Sequence, residues 1–143
     1  MKIKQSFEQA ICILFILGKE NRPVKSTELS DRLEVSDSYL KKVMRQLVVQ
    51  GIVESIASKK GGFILKKSID DITFLDIFNA IEGKEHFIET THLVEKTFVE
   101  YESLGQIEKM FMAYFNIAEN SYRDQLQKLT LGDAFLAVKN LTQ

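Results

Sequence analysis

Two helix-start signals ten residues apart, followed at once by two β-prone runs about a glycine pair, constrain this chain more than any other feature of its sequence. Ser26 stands where an N-cap belongs, with Glu28 in the first turn and Leu29 and Leu33 at an i, i+4 spacing, which predicts a short helix over 27–33. Ser36 caps a second run, in which Tyr39, Leu40, Val43, Met44, Leu47 and Val48 share one face and Lys41, Lys42, Arg45 and Gln46 the other. Gly51 follows Gln50 at the position where helices end. Only Glu34, Val35 and Ser36 separate the two helices, which makes them a tight helix-turn-helix.

Ile52–Ile56 and Phe63–Lys66 then read as strands, joined by a turn that carries Lys59, Lys60, Gly61 and Gly62, so the expected hairpin has a basic tip. A helix-turn-helix followed by such a hairpin is the winged-helix order of elements. Ahead of it, Phe7, Ala10, Ile11, Leu14, Phe15 and Leu17 recur at steps of three and four and predict a core helix, which Asn21-Arg22-Pro23 ends. Behind it, Thr73 and Asp76 have the spacing of a capping-box variant ahead of Ile77, Phe78 and Ile81. That helix is expected to pack back on the first.

Residues 84–103 show no continuous stripe and are read as loop with a partial helix. From there Leu104, Ile107, Phe111, Phe115, Ala118, Tyr122, Leu126 and Leu129 keep a helical spacing, widened by Met110, Tyr114 and Ile117. A lone helix with so wide an apolar face exposes a large patch, so Leu104, Ile107, Phe111, Phe115, Ala118, Tyr122 and Leu126 are expected to form a homodimer seam. Packing back on its own domain is the alternative. Thr130 and Asp133 repeat the capping spacing and predict a last short helix through Val138. The expected class is mainly α with a small β-hairpin wing, 1–83 being a winged helix-turn-helix and 84–143 a linker with a long dimerisation helix.

The net charge of −1 conceals an uneven distribution. Residues 1–67 carry 13 Lys/Arg against 7 Asp/Glu, a net +6, and residues 68–143 carry 6 against 13, a net −7. A basic front half suits phosphate and an acidic back half does not, which points to double-stranded DNA as the partner of the first. The single cysteine excludes an internal disulfide framework and fits a reducing cytoplasm. The apolar stretch of the first helix is broken by Gly18-Lys19-Glu20 and is too short to span a bilayer. No cleavage site follows it, so neither a signal peptide nor membrane attachment is expected. Catalytic signatures are missing as well: there is no phosphate-binding glycine loop, no Gly-x-Ser-x-Gly elbow and no His-Glu-x-x-His pair, so the chain is not read as an enzyme.

The series Pro23-Val24, Ser26-Thr27-Glu28-Leu29, Val35-Ser36-Asp37-Ser38-Tyr39-Leu40-Lys41-Lys42-Val43, Gly51-Ile52-Val53, Gly61-Gly62-Phe63 and Ile72-Thr73-Phe74-Leu75-Asp76-Ile77 through Ile81-Glu82-Gly83 resembles the Rrf2 family of bacterial transcription regulators. The likeness covers about residues 5–83 in unbroken order. It implies a dimeric winged-helix protein whose long C-terminal helices cross. It also implies repression of genes of iron-sulfur assembly, nitric oxide response, redox balance or cysteine metabolism. Many such relatives hold an iron-sulfur cluster on three cysteines between the Ile-Glu-Gly segment and the long helix. Lys84 to Ser103 contains no cysteine here, so no cofactor or metal is expected and the effector is left open. Ala57 stands where relatives commonly place an arginine before the wing turn, and Lys41 where many place a glutamate. The operator therefore does not transfer.

The N-terminal residues of a helix in the major groove reach base edges when they are polar and point outward. Ser36, Ser38, Lys41, Lys42 and Arg45 meet that condition, with Ser38 and Lys41 expected on bases and Lys42 and Arg45 on phosphate. Tyr39 fits either the core or a phosphate contact. Lys59 and Lys60 are placed to flank the minor groove. Cys12 is the one redox candidate, and its place among Ile11, Ile13 and Phe15 suggests a buried, inert thiol. His86 and His92, with Glu85, Glu89 and Glu95 nearby, read as a scattered surface set rather than a metal site. The expected function is sequence-specific DNA binding by a homodimeric repressor on a palindromic operator. The alternative is a winged-helix interaction module that regulates a partner enzyme.

Overall fold

Thr73 and Asp76 show how closely local chemistry sets this fold. In the computed structural model, which describes residues 2–141, the Thr73 hydroxyl accepts the Asp76 N–H and the Asp76 carboxylate accepts the Thr73 N–H, each at 3.1 Å. This closed capping box starts α4 (Phe74–Glu82). Thr130 and Asp133 close the same box at the start of α7 (Leu131–Leu141), which runs three residues beyond the expected Val138. The other helices are α1 (Gln5–Lys19), α2 (Ser26–Leu33), α3 (Asp37–Val49), α5 (Leu93–Thr97) and α6 (Glu102–Lys128), with a 3-10 turn over Ile69–Asp71. β1 (Val53–Ile56) and β2 (Gly62–Leu65) pair antiparallel with Val53 opposite Leu65 and Ile56 opposite Gly62. The chain is thus mainly helical with one small hairpin.

Residues Met1–Gly83 together with Leu126–Gln143 form one compact unit, and Lys84–Gln125 form another. The core of the first is built from Phe7, Ala10, Ile13, Leu14 and Leu17 of α1, from Leu29 of α2, and from Leu40, Val43, Met44 and Leu47 of α3. Val24, Ile52, Ile72, Ile77, Phe78 and Leu131 add to it, and each such large side chain contributes about 1.5–3 kcal/mol by leaving water. α4 packs on α1, with the Phe7 and Phe78 rings edge to face at 5.9 Å. α7 is held to the same unit: Leu131 donates to the Ile72 carbonyl at 2.8 Å, Phe74 donates to the Leu129 carbonyl at 2.9 Å, and Phe135 lies 4.6 Å from Phe15, centroid to centroid.

Two local expectations are corrected, and one strand contact is added. Ser26 is the first helical residue of α2 and not its cap; Lys25 holds that position and gives no side-chain cap bond. Glu28 in the first turn, gripped by Arg22, serves the positive helix end instead. Cys12 is exposed. Each residue turns the helix by about 100°, so with Ala10 and Leu14 facing the core, the residue midway between them points away from it. Val24, which the sequence pattern assigns to no element, exchanges two backbone hydrogen bonds with Phe63 at 3.0 and 2.8 Å and so adds a third, one-residue rung beside β2.

Gly62 is required by that rung. Its φ is +151°, and a Cβ there would lie 2.5 Å from the Val24 carbonyl oxygen. Gly51, at φ +68°, supplies the left-handed residue that ends α3.

Candidate nucleic-acid interface

α3 presents one face to the core through Leu40, Val43, Met44 and Leu47, each at most 1% exposed, which turns Lys41, Lys42 and Arg45 outward. Its start is set by Ser36, whose hydroxyl accepts the Tyr39 N–H at 3.3 Å as an N-cap and lies 3.3 Å from the Ser38 hydroxyl. The turn before it closes through Glu34, which takes the left-handed conformation at φ +53°, and through the Val35 N–H to the Ser30 carbonyl. Tyr39 is 37% exposed, so its ring is neither core nor free. Gln46, assigned by its spacing to the polar face, donates to the Ile81 carbonyl of α4 at 3.4 Å.

The basic residues of this unit divide into two sets. Arg22 and Arg32 are bound by acids: Arg22 grips Glu28 with two nitrogens at 2.8 and 3.1 Å, and Arg32 reaches Glu20 at 2.9 Å and Glu28 at 3.1 Å. The hydrogen bond from Arg22 holds the Glu28 carboxyl below its usual range. These pairs brace α2 against the end of α1 and neutralise both arginines. By contrast Lys42, Arg45, Lys59 and Lys60 are exposed and have no acidic partner among the described residues. Lys41 stands between the sets, its ammonium 2.6 Å from the Asp37 carboxylate one turn earlier.

The second unit was less legible. Glu119 of α6 is 1% exposed and accepts the Phe87 N–H at 3.2 Å and the Ile88 N–H at 3.3 Å; Arg123 Nε and His86 Nδ1 approach its other oxygen at 3.2 and 3.3 Å. Glu108, also buried, accepts from the Thr90 hydroxyl at 2.9 Å and lies 3.1 Å from His92 Nδ1. Burial pushes the Glu119 carboxyl up, and the hydrogen bonds from Ile88, Arg123 and Phe87 with the nearby His86 outweigh it, so the net shift is down. Neither glutamate was singled out by sequence. The signal was there: Glu108 and Glu119 lie 11 residues apart, about three turns, and interrupt an otherwise apolar stripe on one face.

The expected seam residues of α6 separate accordingly. Leu104, Tyr122 and Leu126 are half-buried, with the Tyr122 ring 5.6 Å from Phe87. Ile107, Phe111, Phe115 and Ala118 face outward, Phe111 at 55% and Phe115 at 50% exposure, beside Met110, Tyr114 and Ile117.

A tight helix-turn-helix with an outward cationic helix and a lysine-tipped hairpin defines a winged helix-turn-helix protein. The Rrf2 family model, described as iron-dependent transcriptional regulators, matches residues 3–136, and the chain belongs to this family. Its members are regulators and not enzymes. The HTH-type regulators YffB of Lactococcus lactis subsp. lactis and YwgB of Bacillus subtilis are 42% and 41% identical over 97 and 100 residues. These stretches span 66% and 68% of this chain and 62% and 64% of the two relatives. Among solved structures, IscR of T. potens superposes with a TM-score of 0.74 at 20% identity, covering 100% of this chain and 92% of that one. CymR, the global cysteine regulator of B. subtilis, superposes with 0.66 at 24% identity, covering 94% and 95%. These two likenesses establish the fold.

The iron in the family's description does not fit the donors of this chain. The one cysteine, Cys12, is on the exposed side of α1, and His86 and His92 each turn to a different buried glutamate. Among the described residues no group of three or more His, Cys, Asp or Glu is placed to hold a metal ion. Nor is any described helix long and apolar enough to cross a membrane.

Proposed function

We propose that this chain is a sequence-specific DNA-binding regulator that acts in the cytoplasm as a homodimer, repressing from a palindromic operator. The observation that carries the reading is the set of exposed, acid-free cations Lys42, Arg45, Lys59 and Lys60, divided between the two elements that a winged helix lays on duplex DNA. The outward face of α6 supports self-association, because Ile107, Phe111, Phe115 and their neighbours form an apolar strip that a second copy would bury. Two heads related by a twofold axis read two half-sites about one helical turn apart, hence the palindrome. Ser38 and Lys41 contact bases in this reading, Lys42 and Arg45 hold phosphates, and Ser36 and Tyr39 set the helix start beside them.

The test is a mobility shift on the DNA upstream of its own gene, at stated salt. Neutralising about eight phosphates per dimer gives a slope of log K against log salt of roughly −7. A shift that tracks one palindromic segment supports the proposal. No shift at about 50 mM salt, where phosphate contacts are strongest, overturns it.

A further inference from the structure

Asp37 is the first residue of α3, and acid is unexpected there on a surface offered to a polyanion. The Asp37–Lys41 pair lies at the N-terminal tip, the part of a recognition helix that meets base edges, while the exposed cations further along have no acid beside them. An i, i+4 pair on a helix surface contributes about 0.3–0.5 kcal/mol, and the helix dipole about 0.3–1 kcal/mol through Asp37, the one acid of the first turn, so both structural roles are small beside the repulsion that a carboxylate meets next to phosphate. At phosphate a carboxylate only repels. At bases it has a partner, since an Asp oxygen accepts from the cytosine amino group while a lysine donates to guanine O6 and N7.

We propose that Asp37 and Lys41 together read one G·C base pair in each half-site, and that Asp37 is the residue that sets specificity there. Their donor and acceptor atoms are 2.6 Å apart, and both side chains are open, at 43% and 65% exposure. In the major groove of a G·C pair the two guanine acceptors lie together with the cytosine amino group beside them, so an ammonium and a carboxylate held side by side match that edge. An A·T pair places its amino group between two acceptors and does not. The second Asp37 oxygen, Oδ1, is shielded from water and accepts no hydrogen bond, so turning the carboxylate toward a donor leaves no better contact behind. Away from its site the same carboxylate repels phosphate, which disfavours unspecific binding.

The inference rests on the DNA-binding reading above. Sites are selected from a random duplex pool, at one salt concentration, by the wild-type chain and by Asp37→Asn and Lys41→Met. The wild type is expected to enrich a G·C pair at one position of each half-site. Asp37→Asn, which keeps the shape of the residue, is expected to lower the preference at that position by at least about fivefold, the lower end for a good base contact, and to bind unrelated duplex more tightly. Lys41→Met is expected to relax the same position. An unchanged preference in Asp37→Asn, or an A·T pair at the position it relaxes, overturns the inference. Failure of the wild type to select any sequence sinks the regulator reading instead.

Discussion

Glu119 lies almost entirely out of water, yet three donors converge on it, two of them backbone amides of the 84–125 unit, with the His86 imidazole beside them. Because these interactions hold its folded carboxyl below the ordinary glutamate value of 4.5, the stability it contributes is full above that value and is lost as pH falls through the folded one. Glu119→Gln should therefore cost about 2 kcal/mol at neutral pH and flatten the acid limb of stability below about pH 4.5. Thermal melts of both proteins from pH 7 to pH 3 check this, and an unchanged acid limb contradicts it. Single residues were the least legible scale in the sequence. Cys12 looked buried among apolar neighbours, but at about 100° per residue those neighbours belong to different faces. The Asp37–Lys41 pair is a contact that the i, i+4 spacing allows but does not require.

At the scale of elements the sequence was far more informative, because each signal acts within a few residues. The Ser36 cap, the Gly51 terminator and both Thr/Asp boxes start or stop helices where their spacing indicated. What escaped needed contact across the chain: Val24 becomes a rung only because Phe63 returns to it, nearly forty residues later. The wing depends on that return. Gly62→Ala places a methyl against the Val24 carbonyl at a φ that disfavours any side chain, and should cost about 2–3 kcal/mol. Calorimetry measures the loss. Duplex affinity should drop with it, and a Gly62→Ala protein that melts like wild type contradicts this account of the wing.

For the whole molecule, charge and apolar surface make separate predictions. Removing one phosphate-binding cation per subunit by Arg45→Ala should reduce the steepness of the salt dependence by about 2 per dimer on any duplex. Titrations at four or five salt concentrations measure it, and an unaltered slope takes Arg45 off the backbone. Replacing Phe111 and Phe115 together by Glu should leave a monomer in sedimentation, with operator affinity reduced at least tenfold, because a single head keeps half of the phosphate contacts. The apolar face of α6 was legible as a stripe. Its division into residues turned inward and outward was not, since that depends on where 84–92 lies against α6. The return of α7 to the first unit also has a practical consequence. Leu131 is bonded to Ile72 and Phe135 stacks on Phe15, so a protease that cuts between Lys84 and Glu89 severs the backbone without releasing either piece. Denaturing gels would show two bands where gel filtration still shows a single species.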